Sequence, residues 1–462
     1  MLRDLLLSAG ILVLLPVCLR KPFVGLTLFT LLAYMRIQDL TWGFARYQRW
    51  SFYIAIVTLV GFMMLQGEKR FMLNDVRNAI MVGLAVIVGI GLLASGQLEG
   101  GQDVNKYVEY CKIIGIAAFT TGIVTRRDHL RILVWTIALS FGFYGFKNGL
   151  AGILSGGSVK VLEGPGGMMS DNNDFALALC MGIPMLLQIG LSERAVVFRR
   201  IMLMLVPLTM ISVVLTHSRG GFLAMAMGGL VMVWRSKNRV AGLTAGLLLA
   251  IAGAFLAPKS YVDRLSTISS YEQDGSAVGR LRAWATAAEM IKAKPILGVG
   301  FGKFERNYDR YDPNRVVGQL TSGSRVAHNS YLQIWAECGT PAFLLYVSLI
   351  LLSYVEVWRV RKEARKRYEA SWILNYCTMF EASMTSFVVG AMFLNRAHFD
   401  LFYHLVAIIA VFGALARQEM SRPPEYGGDL GQRGTLSAVP QAGFGAHRFG
   451  RVGGGNVGFR GA

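Results

Sequence analysis

Apolar residues recur along the chain in blocks of mostly about 15 to 22 residues, the length that crosses a bilayer core of ~30 Å as a helix. The short alternating runs of a transmembrane β-barrel are not what the chain displays. Thirteen blocks fall near 3–19, 23–35, 51–66, 78–95, 107–124, 130–150, 173–191, 201–216, 220–234, 240–257, 329–357, 373–394 and 398–416. No small-x-small cleavage site follows the first, and Leu15-Pro16-Val17-Cys18 is a poor lipoprotein box, so it reads as a retained span. The pattern predicts an all-α polytopic membrane protein of twelve or thirteen spans. The parity turns on whether one of the first two blocks lies along the interface. In domain terms, residues 1–257 hold the amino-terminal spans, 258–328 a medium-sized loop domain, 329–417 the carboxy-terminal spans and 418–462 a tail. The tail is rich in Gly, Arg, Ser and Pro and too poor in apolar residues to order itself.

Composition agrees: 53% of residues are hydrophobic and 16% charged, which excludes a soluble single-core protein. The net charge of +19, from 47 Lys+Arg against 28 Asp+Glu, would in a soluble protein raise nucleic acid as a partner. Here the excess gathers in short loops, at Lys69/Arg70, Arg126/Arg127/Arg131, Arg194/Arg199/Arg200, Arg235/Lys237/Arg239 and Arg359/Arg361/Lys362/Arg365/Lys366/Arg367. These occupy every second loop, so those loops and the C-terminus are expected in the cytoplasm, and no nucleic-acid partner is expected. The opposite face, periplasmic in a Gram-negative host, holds 36–50, 97–106, 151–172, 217–219, 258–328 and 395–397. The five cysteines show neither CxxC spacing nor a His at metal-ligand distance, so neither a disulfide framework nor a zinc site is indicated.

Polar residues at span ends are costly and so mark sites. In Thr216-His217-Ser218-Arg219-Gly220-Gly221 one span ends and the next begins within a few residues. The two glycines allow close approach to a helix N-terminus that favours an anion, and Arg219 adds a guanidinium shaped for phosphate. An Arg that snorkels to head groups is the other reading. In the long loop, residues 277–291 read as an amphipathic helix with Ser276 as N-cap and Leu281, Trp284, Ala285 and Ala288 on one face. Arg280 shares a side with Trp284 and suits either solvent or a phosphate. The Gly298, Gly300, Gly302 spacing lacks the βαβ setting of a nucleotide loop and reads as a turn. His328, in Arg325-Val326-Ala327-His328-Asn329-Ser330-Tyr331-Leu332-Gln333, stands where a helix dipole disfavours imidazolium. It suits a general base or a plain helix cap. In the outer stretch Glu163 to Asp174, Asp171 or Asn172 suits helix capping, with sugar contact as the alternative.

His217-Ser218-Arg219-Gly220-Gly221, the Arg280-to-Trp284 stretch, the Pro295-to-Gly302 run and His328-Asn329-Ser330-Tyr331 together resemble the O-antigen ligase superfamily, which also includes O-antigen polymerases and protein O-oligosaccharyltransferases. Leu40-Thr41-Trp42-Gly43-Phe44 and Gly142-Phe143-Tyr144-Gly145-Phe146-Lys147 resemble the exosortase-associated O-glycosylation ligases. The resemblance covers roughly residues 1–417 and implies a fold related to the C-type glycosyltransferases. It implies a metal-independent transferase, without cofactor, in the bacterial inner membrane. Its donor is a glycan on undecaprenyl diphosphate and its acceptor, for a ligase, the lipid A-core of lipopolysaccharide. By the same resemblance, Arg219 and Arg280 match the diphosphate-binding arginines and His328 the essential histidine. Arg282 is a second claimant to the phosphate role, and His217, Ser218, Asn329, Tyr331, Gln333, Lys147 and Asn172 are further substrate contacts. Polymerase and protein-oligosaccharyltransferase readings use the same donor. A transporter remains as a different class, predicting buried charges at span centres and internal symmetry.

Overall fold

The computed structural model describes residues 1–64, 75–96, 100–167, 169–236, 238–240, 242–244, 246, 275–314, 326–367 and 372–421. Long helices dominate: α1 (Leu2–Arg20), α2 (Pro22–Tyr34), α3 (Trp50–Met64), α4 (Val76–Ala94), α5 (Gly100–Ile123), α6 (Arg127–Leu154), α7 (Asn172–Ser192), α8 (Val196–Leu215), α9 (Arg219–Arg235), α10 (Gly275–Ala293), α11 (Phe304–Tyr311), α12 (Ser330–Arg367), α13 (Trp372–Gly390) and α14 (Asp400–Met420). A small antiparallel hairpin, β1 (Glu163–Gly166) with β2 (Met169–Asp171), precedes α7. Among the described residues, seven helices, α1, α4, α6, α7, α8, α12 and α14, are long and apolar enough to cross a membrane, and α2 and α3 are shorter apolar helices. The block at 240–257, residues 258–274 and the tail beyond residue 421 lie wholly or mostly outside the described residues.

The first two blocks form separate helices running in opposite directions. Asp4, at the start of α1, accepts hydrogen bonds from Gly43 N (2.9 Å) and Ala45 N (3.2 Å), beyond the end of α2. At the other end of α1, the Leu19 carbonyl lies where a Cβ on Gly61 of α3 would sit, at 2.2 Å. The N-terminus therefore shares an end of the bundle with residues 36–49. Close helix approach explains the glycines of the 142–147 motif. Gly142, Gly145 and Gly149 abut Leu205, Thr209 and Leu208 of α8, so any Cβ there would strike the neighbouring helix. Val82, Val86, Ile90 and Leu93 make an exposed apolar stripe along α4, as a lipid-facing helix requires.

Ion pairs join the segments at one end of the bundle: Arg131 with Glu193 at 3.0 Å, Arg127 with Glu419 at 3.9 Å, and Arg235 and Arg361 sharing Glu381. The described basic clusters at 126–131, 194–200, 235 and 359–367 thus alternate with the loops of the opposite end, while Lys69/Arg70 lies outside the described residues. That opposite end carries residues 36–49, the β-hairpin, the 216–218 turn, α10, α11, residues 326–329 and the turn after α13, and it holds the site.

Within the long loop, the predicted 277–291 helix appears as α10, two residues longer at each end and with a different buried face. Ala283, Thr286, Ala287 and Met290 are buried while Leu281 is exposed. The two alanines let the helix lie close to Val299, Phe304 and Tyr308, and Trp284 sits at the boundary, where its ring N–H reaches a carbonyl.

Candidate active site

Three elements converge at this end. The first is the turn between α8 and α9. His217 takes a left-handed conformation (φ 55°) that lets the chain reverse in two residues, and it is buried. Ser218 caps α9, its Oγ accepting from Gly221 N (3.1 Å) and donating to Asn173 Oδ1 (2.7 Å). Asn172 Nδ2 donates to Thr216 O (2.8 Å), and Asp171 caps α7 through Asn173 N (2.8 Å). Arg219 is the first residue of α9 and half-buried.

The second element is α10. Trp284 Nε1 donates to Ala327 O (2.9 Å), which lays the helix along the segment preceding α12. Arg280, one turn earlier and half-buried, acts electrostatically on His328. Arg282 points elsewhere, since two residues along a helix turn the side chain by about 200°. Its guanidinium grips Asp312 (Nε–Oδ2 2.9 Å, Nη2–Oδ2 2.6 Å) and donates to Asn314 O (2.9 Å). The expected phosphate role for Arg282 is thereby displaced: its fork is taken by a buried carboxylate.

The third element is the entry to α12. His328 is again left-handed (φ 47°). Asn329 Oδ1 accepts from Tyr331 N (3.0 Å) and Leu332 N (3.1 Å), so the helix cap is Asn329 and the competing capping role for His328 falls away. Burial lowers the His328 pKa from its ordinary value and the Arg280 charge lowers it further, against a smaller opposing pull from Asp171. Its imidazole is therefore held neutral at neutral pH.

Several of the expected substrate contacts also hold the scaffold together. Tyr331 donates to Val388 O (2.9 Å), and Gln333 accepts from Ala397 N (3.2 Å) while reaching Glu337 (3.4 Å). Ser218, Asn172 and Asn329 are engaged as described above. Lys147 is exposed on α6, with no hydrogen bond or ion pair to these residues among those described. Two arginines beside the site escaped the sequence reading. Arg396 forms an ion pair with Asp174 (2.6 Å), and its backbone N–H reaches Ser330 Oγ (3.0 Å), so the turn after α13 joins α7 to α12. Arg36, left-handed at φ 49°, pairs with Asp39 and lies against Gly166 and Gly167 of the hairpin. Alone in a loop, neither differs in sequence from a solvated cation. Among the described residues, no group of three or more His, Cys, Asp or Glu side chains could hold a metal ion.

Residues 202–347 match the family model described as O-antigen ligase, a stretch that contains the 216–221 turn, Arg280 and His328. The chain carries an O-antigen ligase domain. The match bears out the superfamily that the motifs resemble. Residues 2–189 match a second model, described as a family of unknown function (DUF5935). No match was found among curated proteins. The candidate site draws on both matched stretches, because Asp171, which acts electrostatically on His328, and Asn172, which donates to Thr216 O, lie outside the O-antigen ligase domain.

Proposed function

We propose that the protein transfers a glycan from undecaprenyl diphosphate to an acceptor hydroxyl, with lipid A-core as the acceptor. The supporting observation is the placement of Arg280 beside a neutral, half-buried His328 inside the O-antigen ligase domain. His328 takes the proton of the attacking hydroxyl as the new bond from that oxygen to the anomeric carbon forms. The bond from that carbon to the phosphate oxygen breaks, and its electron pair leaves with undecaprenyl diphosphate. Arg219 and Arg280 bind the diphosphate and stabilise the charge that grows on it, and attack opposite the leaving group inverts the anomeric centre. The general base contributes on the order of 10²- to 10⁴-fold in rate. Arg282 is not assigned to the diphosphate, because Asp312 holds it.

The end bearing the basic clusters is assigned to the cytoplasm by the positive-inside rule, which puts the site on the periplasmic face of the inner membrane and residue 421 in the cytoplasm. Thirteen crossings put the termini on opposite sides, and twelve put both on one side. The antiparallel α1 and α2 favour thirteen crossings and an external N-terminus. The fold is read as related to the C-type glycosyltransferases, and the reaction as metal-independent.

Incubating purified protein with undecaprenyl diphosphate-linked glycan and lipid A-core, with excess chelator present, tests the reading. Glycosylated lipid A-core is expected. Elongated lipid-linked glycan, or glycan on a protein Ser or Thr, would retain the chemistry and replace the acceptor.

A further inference from the structure

We infer that Glu337 is a positioning residue, whose carboxyl group locks the 295–302 loop onto a kink in α12 and so fixes α10, with Arg280, against His328. The inference rests on the reading of His328 and Arg280 given above.

The kink leaves α12 with backbone groups that the helix cannot satisfy. At Gly339 the chain turns left-handed (φ 81°, ψ 177°), with Pro341 following. A Cβ at this position would stand 2.1 Å from the Ile296 carbonyl oxygen, so glycine is needed for both conformation and space. The 295–302 loop fills the gap: Val299 N donates to Ala336 O (2.9 Å), Gly300 N to Glu337 O (2.9 Å), and Thr340 N to Pro295 O (2.7 Å). Immediately beyond, the buried Glu337 side chain accepts from Gly302 N (3.1 Å) and Phe304 N (3.1 Å), where the first N–H groups of α11 have no partner within that helix. Glu337 also receives Gln333, which in turn holds Ala397 N. One carboxyl group therefore ties the loop, α11, α12 and the turn bearing Arg396.

Geometry carries this tie to the reacting groups. The chain of α10 runs directly into the clasped loop, so its carboxy-terminal end is fixed at residues 336–340. Its middle is fixed at Ala327 by Trp284, and Ala283, Ala287 and Met290 pack with Val299, Phe304, Ala327 and Ala336 in one small core. Arg280 lies just beyond the Trp284 attachment. Loosening the Glu337 corner lets α10 rock about Trp284 and changes the separation of Arg280 from His328.

Around Glu337 stand Lys106 and Tyr110 of α5, His398 of the turn after α13, Tyr403 of α14, and Gln333 and Cys338 of its own helix. Around His328 stand Arg280 of α10 and Asp171 at the start of α7. Burial holds the His328 pKa below its ordinary value and the Arg280 charge adds to it, so a larger separation from Arg280 returns part of that lowering.

The test compares the full-length protein with Glu337→Gln and Glu337→Asp in detergent micelles, by hydrogen exchange and by the pH profile of glycan transfer. Glu337→Gln is expected to raise exchange at both 298–304 and 326–329 while leaving α7 to α9 unchanged. It is also expected to lower the maximal rate at least tenfold with little change in KM for the donor, and to move the acidic limb of the profile upward. Glu337→Asp, which keeps the carboxyl group at a shorter reach, is expected to fall between wild type and Glu337→Gln in exchange, in rate and in the position of the limb. Unchanged exchange at 326–329, or a lowered rate with an unmoved limb, overturns the inference. A Glu337→Gln protein too unstable to purify passes the question to Glu337→Asp, whose shorter reach must loosen 298–304 and 326–329 together; loosening of one without the other overturns the inference. Full activity in His328→Ala would instead overturn the catalytic reading, while the exchange result stands on its own.

Discussion

Replacing Arg282 with alanine separates a scaffold arginine from a phosphate-binding one. Its guanidinium makes hydrogen bonds of 2.6–3.1 Å to both oxygens of Asp312 and one to the Asn314 carbonyl, joining α10 to the chain just beyond α11. The Asp312 side chain is completely buried and the Arg282 side chain is 31% exposed. Truncating one partner of a fully buried pair costs about 3–5 kcal/mol, whereas exposed pairs contribute about 0–1 kcal/mol. For this half-shielded pair, with Asn314 N still donating to the stranded carboxylate, the expected loss is about 2 kcal/mol. Unfolding in mixed micelles measures it, and Asp312→Asn in the same background returns a coupling of about 1–2 kcal/mol in a double-mutant cycle. Well below its unfolding temperature, Arg282→Ala should keep a transfer rate within about threefold of wild type, whereas Arg280→Ala loses about a hundredfold or more. Undiminished stability in Arg282→Ala together with a large rise in donor KM would refute the assignment and return Arg282 to the diphosphate.

Three further outcomes follow from the same contacts. Gly339→Ala forces a side chain into the Ile296 carbonyl at positive φ and should cost at least ~2 kcal/mol, read as lost monodisperse protein in detergent. The lowered His328 pKa means that the folded protein binds this proton less readily than the unfolded chain. Its effect on stability is therefore neutral above the ordinary value of 6.5 and becomes a loss as pH falls below it, a loss that His328→Asn should remove from the pH dependence of unfolding. Glu381→Gln strands Arg235 and Arg361 at the far end of the bundle and should lower stability by about 2 kcal/mol while leaving donor KM unchanged; a raised KM would contradict its distance from the site.

Helices were legible from hydropathy because a bilayer imposes length and continuity on every crossing: the block 173–191 reappears within a residue at each end as α7, and 201–216 as α8, which starts five residues earlier. The tight 216–221 turn was legible for a related reason, since two spans with nothing between them leave a polar sequence only the site to serve. Short-range pattern failed where long-range partners decide. Spacing alone gives Arg280 and Arg282 equal standing, and only Asp312, thirty residues on, separates them. Capping of α12 by Asn329 depends on where the helix starts, a matter of one residue that hydropathy does not resolve. The buried face of α10 was misplaced because size ranked Leu281 and Trp284 above alanine, yet close packing against the 295–302 loop selects the small residues. Arg396 and Arg36 make contacts across distant segments that nothing in their local sequence distinguishes, and Glu337 reads only as a polar position in the first turns of its helix.

Glycan transfer with His328 as base requires Arg280 and Arg219 at the diphosphate. The most direct measurement is transfer from undecaprenyl diphosphate-linked glycan to lipid A-core by purified wild type, His328→Ala, Arg280→Ala and Arg219→Ala at matched folding. Product is expected with the wild type, and losses of about a hundredfold or more in each variant. Full activity in His328→Ala, or no transfer to any acceptor by a folded wild type, would contradict this mechanism.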